Sequence, residues 1–181
     1  MSDTTKSPLM VATSDTITII RMVGRITAKQ GSCFRDILDQ SIGHPKVPVV
    51  MDTESCSGVD STILGIIACK TQEQFKRAGE HLTFINTPEK LSECLLEFGL
   101  EGYLQIFAPG SCPTSIINRA ESCSSVTQTV VAKPMNRDER NEVMLEAHEG
   151  LANLNEQNRL QFDDVLTFLR KSAQKKALPP T

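Results

Sequence analysis

Tryptophan is absent from this chain, tyrosine occurs once, and aromatic residues make up only 4% of it. Proteins that hold single strands of nucleic acid stack the bases on such rings, and those that hold duplexes carry a positive field. A formal net charge of −3 supplies no such field, so no direct nucleic acid partner is expected. Long hydrophobic runs are missing too. No segment reaches the roughly 18 apolar residues of a membrane span, and the opening MSDTTKSPLM lacks the basic start and apolar centre of an export signal. The expected setting is the cytoplasm, with no membrane contact.

Paired cysteine motifs are also lacking. The six cysteines, at 33, 56, 69, 94, 112 and 123, form no CxxC pair, which favours reduced thiols over a disulfide framework or a metal site. His44, His81 and His148 are scattered singly. A zinc site would therefore need the fold to gather ligands from afar. No metal and no cofactor are expected.

What is present is an ordinary folding composition. The 181 residues are 39% hydrophobic and 23% charged, enough for one domain with an appendage and far from the disordered class. Leu9 to Val23 reads as two β runs broken at Thr13, Ser14 and Asp15, hence a hairpin whose second run is apolar on both faces, as in an interior strand. Thr27 and Gln30 have capping-box spacing, and Phe34, Ile37, Leu38 and Ser41 follow at helical intervals, so a helix over 27–42 is predicted, ended by Gly43, His44 and Pro45. Residues 47–52 and 82–85 read as short buried strands, as does 104–107. From Ser61 a second helix carries Leu64, Ile67, Ala68, Thr71, Phe75 and Ala78 on one stripe and ends at Gly79. A third starts at Thr87, with Pro88 as its first helical residue, and turns Leu91, Cys94, Leu95 and Phe98 to the core.

The resulting order is hairpin, helix, strand, helix, strand, helix, strand, which predicts an α/β fold with a mixed, mostly parallel sheet packed by helices. Residues 8–108 form this domain. Residues 109–135, rich in small and hydroxyl side chains, read as a linker with a short helix at 113–121, although VTQTVVA also suits a strand. Residues 136–176 read as a C-terminal helical hairpin. Asn136 with Glu139 opens its first helix, faced by Val143, Ala147, Leu151 and Leu154. Asn158 with Gln161 opens its second, faced by Phe162, Val165, Leu166 and Leu169. Such a hairpin must dock, either on the sheet domain as a brace or on another subunit.

The candidate site is the connection TESCSGVD between the strand at 47–52 and the helix from Ser61, because the crevice beyond the carboxyl ends of the strands is the usual place for function in open α/β sheets. Asp60, Ser61 and Thr62 are all residue types favoured as N-caps. Two readings stand side by side. In one the segment merely caps a helix. In the other Asp60 caps while Ser61 faces outward and accepts phosphate, a charge that a helix N-terminus tolerates and an apolar partner does not. A nucleophilic Ser61 or Cys56 would need a base, and His44 or His81 could reach it only through the fold. No catalytic residue is therefore assigned.

The unit VVMDTESCSGVDSTILGIIA resembles the signature of STAS domains, the module of bacterial anti-sigma factor antagonists, and above all of members with DSTxLG. ITIIRMVGRIT and LTFINTPEKLSECLLEFGLEGYLQIF extend the resemblance over Leu9 to Phe107. It implies a non-enzymatic binding protein that captures an anti-sigma factor, commonly a serine kinase, and so releases a sigma factor for transcription. It places the phosphorylation site at Ser61 and the partner surface at Asp60, Ser61, Thr62, Ile63 and Leu64. Many members have glycine where this chain has Ile63. The alternative is an unphosphorylated STAS scaffold that forms a homodimer through its C-terminal helices.

Overall fold

The computed structural model describes residues 9–42, 47–123, 127–130 and 134–177. The expected stop at Gly43, His44 and Pro45 lies outside the described residues.

Strand β1 (Leu9–Thr13) turns back into β2 (Thr18–Met22) in antiparallel register, as the hairpin reading expected. After a short strand β3 (Gly24–Ile26) the Gln30 side chain accepts from the Thr27 amide at 3.0 Å, and a 3-10 turn at Ala28–Gln30 leads into α1 (Gly31–Ile42). β4 (Val49–Asp52) follows, then β5 (Cys56–Val59) and α2 (Ser61–Ala78). β6 (Leu82–Ile85), α3 (Glu89–Glu97) and β7 (Leu104–Ile106) complete the central alternation. α4 (Thr114–Cys123) and β8 (Thr127–Val130) come next, before α5 (Arg137–Ala152) and α6 (Glu156–Ala177).

The main sheet has the order β7-β6-β4-β2-β1-β8, with β2, β4, β6 and β7 mutually parallel and β1 antiparallel to both its neighbours. Its strands alternate sides as a period of two requires. Ile20, Met22, Val49, Met51, Leu82 and Phe84 point into the larger core, under α1, α2, α5 and α6. Ile19, Val50 and Ile85 point the other way, where Cys123 and Ala120 of α4 cover them. The interior strands carry apolar residues on both faces for that reason, with polar exceptions that include Arg21, Asp52 and Thr83.

The segment read as a linker holds the expected short helix and also β8, which pairs with β1 at the edge of the sheet. The connection 53–60 is likewise more ordered than a loop, since β5 pairs with β3 in a separate two-stranded parallel sheet.

Two expected caps fall elsewhere. Thr87 does not cap α3: its side chain is buried 3.2 Å from the Thr53 hydroxyl and its amide donates to the Phe107 carbonyl, so Pro88 takes the cap position. Asn158 does not open α6. The Asn155 side chain accepts from the Asn158 amide at 2.8 Å, and the buried Asn158 amide group donates to the carbonyls of Phe98 and Leu151, tying the end of α3 to the turn of the hairpin.

Helix α2 begins and ends as its sequence suggests, with Asp60 at the N-cap and Gly79 left-handed at the C-cap. Its burial is wider than one stripe. Thr62 through Ala68 are all buried, whereas Phe75 is exposed. The extra cover is α5: Ala147 packs its backbone onto Gly65, and Gly150 packs onto Cys69. No helix of the described residues is long and apolar enough to cross a membrane.

Candidate functional site

The site is built by the small sheet. β3 and β5 run side by side, and the Asp60 amide donates to the Ile26 carbonyl at 3.2 Å, which fixes the entry into α2. Asp60 has extended backbone angles, φ −99° and ψ 174°, so its side chain folds over the first turn. Oδ1 accepts from the Ile63 amide at 3.1 Å. Oδ2 accepts from the Ala28 amide at 2.7 Å. One carboxylate therefore satisfies unpaired amides at the starts of two helical segments, the 3-10 turn before α1 and α2 itself.

Ser61 is left free of capping and is half-buried. The outward-facing hydroxyl expected of it is turned instead to His148 of α5, with Oγ 3.0 Å from Nε2. The other ring nitrogen, Nδ1, lies 2.6 Å from the Met144 carbonyl. A carbonyl can only accept, so Nδ1 carries the proton. In the neutral ring Nε2 is then an acceptor, and the Ser61 hydroxyl donates to it. His148 is 3% exposed and meets the edge of Phe162, which stacks on Phe98. A row of rings thus runs from the end of α3 through α6 to the hydroxyl of Ser61.

Thr62, Ile63 and Leu64, expected to face a partner, are 2%, 0% and 3% exposed. They belong to the core and present no surface to a partner. What remains at the surface of this connection is Glu54, Ser55 and Ser57, with Asp60 and Ser61 partly exposed. Cys56 is buried, its thiol donating to the Gly58 carbonyl at 3.7 Å, and burial pushes that thiol up. It stays a weak nucleophile at neutral pH.

His148 is the residue beside Ser61 that sequence reasoning did not place there. His81 packs against the ring of Phe75 instead, and His44 lies outside the described residues. A trace existed in the sequence: His148 falls inside the apolar face of α5 between Ala147 and Leu151, and a polar side chain there requires a polar partner on the opposing surface. The pair meets one requirement of a nucleophilic serine, a base within hydrogen-bond reach. A cavity of about 360 Å³, lined by Arg21, Asp52, Asn86 and Ile117 among others, lies beyond the ends of β2, β4 and β6. Another of about 900 Å³ is lined by residues that include Asp36, Met135 and Glu139. Neither is lined by Ser61 or His148.

No protein-family model matches the chain, and no curated protein does. Solved structures do. The anti-sigma factor antagonist SpoIIAA in its unphosphorylated form is 14% identical, with 62% of this chain and 97% of that one covered at a TM-score of 0.48. A Thermotoga maritima protein described as an anti-sigma factor antagonist is 13% identical, covering 61% of this chain and 92% of its own at 0.49. The Bacillus cell fate determinant SpoIIAA in its phosphorylated form is 14% identical, covering 62% and 98% at 0.47. This chain is similar to them in fold. The remainder of it, more than a third, lies outside each match.

Proposed function

We propose that the chain is a regulatory binding protein of the anti-sigma factor antagonist type. It captures an anti-sigma factor with serine kinase activity at the start of α2, and phosphate on Ser61 sets the affinity. In a bacterial cytoplasm this would govern sigma-factor-dependent transcription. One observation carries the reading: Asp60 alone caps α2, with both oxygens committed to backbone amides, so the Ser61 hydroxyl beside it has no capping duty. The order of acid, serine and second hydroxyl is the one that resembles the STAS signature. A phosphoryl group there brings about −1.5 to −2 charges. The helix dipole and first-turn amides receive that charge, while an apolar surface pressed on the rim does not. The contact surface is the exposed part of the connection, Glu54, Ser55 and Ser57, together with Asp60 and Ser61.

The test is co-purification from the native cells with tagged chains. Wild type and Ser61→Ala are expected to retain the anti-sigma factor, and Ser61→Asp to recover at least about ten-fold less, roughly 1.4 kcal/mol of lost affinity. Intact-mass spectrometry of the wild-type chain is expected to show a fraction heavier by one phosphate mapped to Ser61. Equal capture by all three chains would remove the switch.

A second reading, self-association through α6, is favoured by Leu160 and Phe168, each 68% exposed on that helix. Exposed apolar side chains grouped on one element mark contact surfaces. Sedimentation velocity is expected to give a dimer that becomes a monomer in the Leu160→Glu, Phe168→Glu double variant. A monomeric wild type ends this reading.

A further inference from the structure

The face of α2 that continues from Ser61 is occupied by the chain's own C-terminal helices. Ser61, Gly65 and Cys69 stand four residues apart on it, and each meets α5. The Ser61 hydroxyl meets His148. Gly65 meets the Ala147 backbone so closely that a Cβ there would sit 2.0 Å from the carbonyl oxygen. Cys69 donates to the Glu146 carbonyl at 3.8 Å, and a Cβ on Gly150 would lie 2.2 Å from its sulfur. At the side, Val143 reaches Gly31 of α1 and Arg35 pairs with Glu146 at 2.7 Å. An ion pair with exposed partners holds little by itself. Shape and apolar burial do most of the holding.

Among the described residues, a polar contact between α5 and the start of α2 is thus made by the hydroxyl that the proposed function assigns to phosphate. Unmodified, that hydroxyl donates to a ring nitrogen whose tautomer is set by Met144. Phosphorylated, it has no proton to give. The three phosphoryl oxygens must then fit around a bridging oxygen that the docked geometry keeps at 3.0 Å from Nε2. The carboxylate of the adjacent Asp60 adds a like charge. His148 and Phe162 are almost entirely buried there, so the dianion would lose hydration against rings and methyl groups. Removing such a charge from water costs several kcal/mol unless it is fully paired; the first-turn amides of α2 favour the charge from one side, but on the α5 side one imidazole is a poor match for three oxygens.

We propose that the α5–α6 hairpin is a cover released by phosphorylation of Ser61. Docked, it hides the face of α2 formed by Ser61, Gly65 and Cys69. Undocked, it bares that face while the sheet stays folded. The inference rests on the reading of Ser61 as the modified residue and adds what the modification does within the chain.

Hydrogen exchange on the full chain tests it, with phosphoserine incorporated at position 61 during synthesis and the unmodified chain as reference. Amides of α5 between 143 and 152 and of α6 between 162 and 169 are expected to exchange at least ten-fold faster in the phosphoserine chain. Those of β4 and β6 are expected to keep their protection. A Ser61→Val chain, which loses the hydrogen bond without gaining charge, is expected to change by less than three-fold. Unchanged or slower exchange in α5 would overturn the proposal, since phosphate would then be held by His148. Equal loss in the sheet, or equal release by valine, would overturn it as well. Because the phosphate is installed synthetically, an absence of phosphate in native cells would defeat the reading of function and leave this coupling intact.

Discussion

Gly65→Ala is expected to destabilise the protein by about 2 to 3 kcal/mol, in the range of overpacked sites. The sign is the informative part. An alanine inside a helix is worth about 1 kcal/mol over glycine from backbone entropy alone. A Gly65 facing open space would therefore gain stability on substitution. Here the added methyl would stand 2.0 Å from the Ala147 carbonyl oxygen and 2.8 Å from its Cα. Those atoms belong to a helix backbone, which cannot rotate away as a side chain can. All of α5 must lift, and Val143, Leu151 and the His148 contact lift with it. Urea denaturation followed by circular dichroism gives the answer. Gly150→Ala should act in the same direction with a smaller effect, because its main obstacle is a cysteine sulfur that can turn. A stabilised Gly65→Ala chain would mean that α5 does not rest on α2 in solution.

Asp60→Asn is expected to cost about 2 to 3 kcal/mol even though asparagine ranks with aspartate as an N-cap. An isolated cap would barely register the change. The Asp60 carboxylate, however, accepts on both sides, from Ile63 at 3.1 Å and from Ala28 at 2.7 Å. An amide has one oxygen. Whichever way it is oriented, its NH2 group faces a backbone N–H, and one helix start loses its partner. The lost contact is also charge-assisted, the stronger kind. Asp60→Ala, which removes both bonds and creates no donor clash, should cost a similar amount. A denaturation midpoint in Asp60→Asn within about 0.5 kcal/mol of wild type would show that the carboxylate serves α2 alone.

Most elements were legible because their causes are local. The hairpin of β1 and β2, the face of α1 at Phe34, Ile37, Leu38 and Ser41, and the limits of α2 at Asp60 and Gly79 follow from spacing and cap chemistry within a few residues. What stayed hidden depends on segments far apart in the chain. β5 is a strand only because β3 lies beside it. Thr87 and Asn158 have good cap chemistry, yet Thr53 and the carbonyls of Phe98 and Leu151 compete for their side chains. The same holds at the site. Asp60 could be assigned from its neighbours, but His148 stands 87 residues from Ser61 and meets it only through the docking of α5. Thr62, Ile63 and Leu64 were assigned to a partner surface on the resemblance alone, although Leu64 already fell on the apolar stripe of α2, and all three are buried.

The position of β1 has a bearing on how the molecule assembles. This strand lies between β2, made immediately after it, and β8, which follows the rest of the sheet and α4. During synthesis its outer edge, a row of unpaired amides and carbonyls, stays open until Val130 has left the ribosome. Pairing over so long a span is slow, so the nascent chain is most vulnerable to edge-to-edge sticking in that interval.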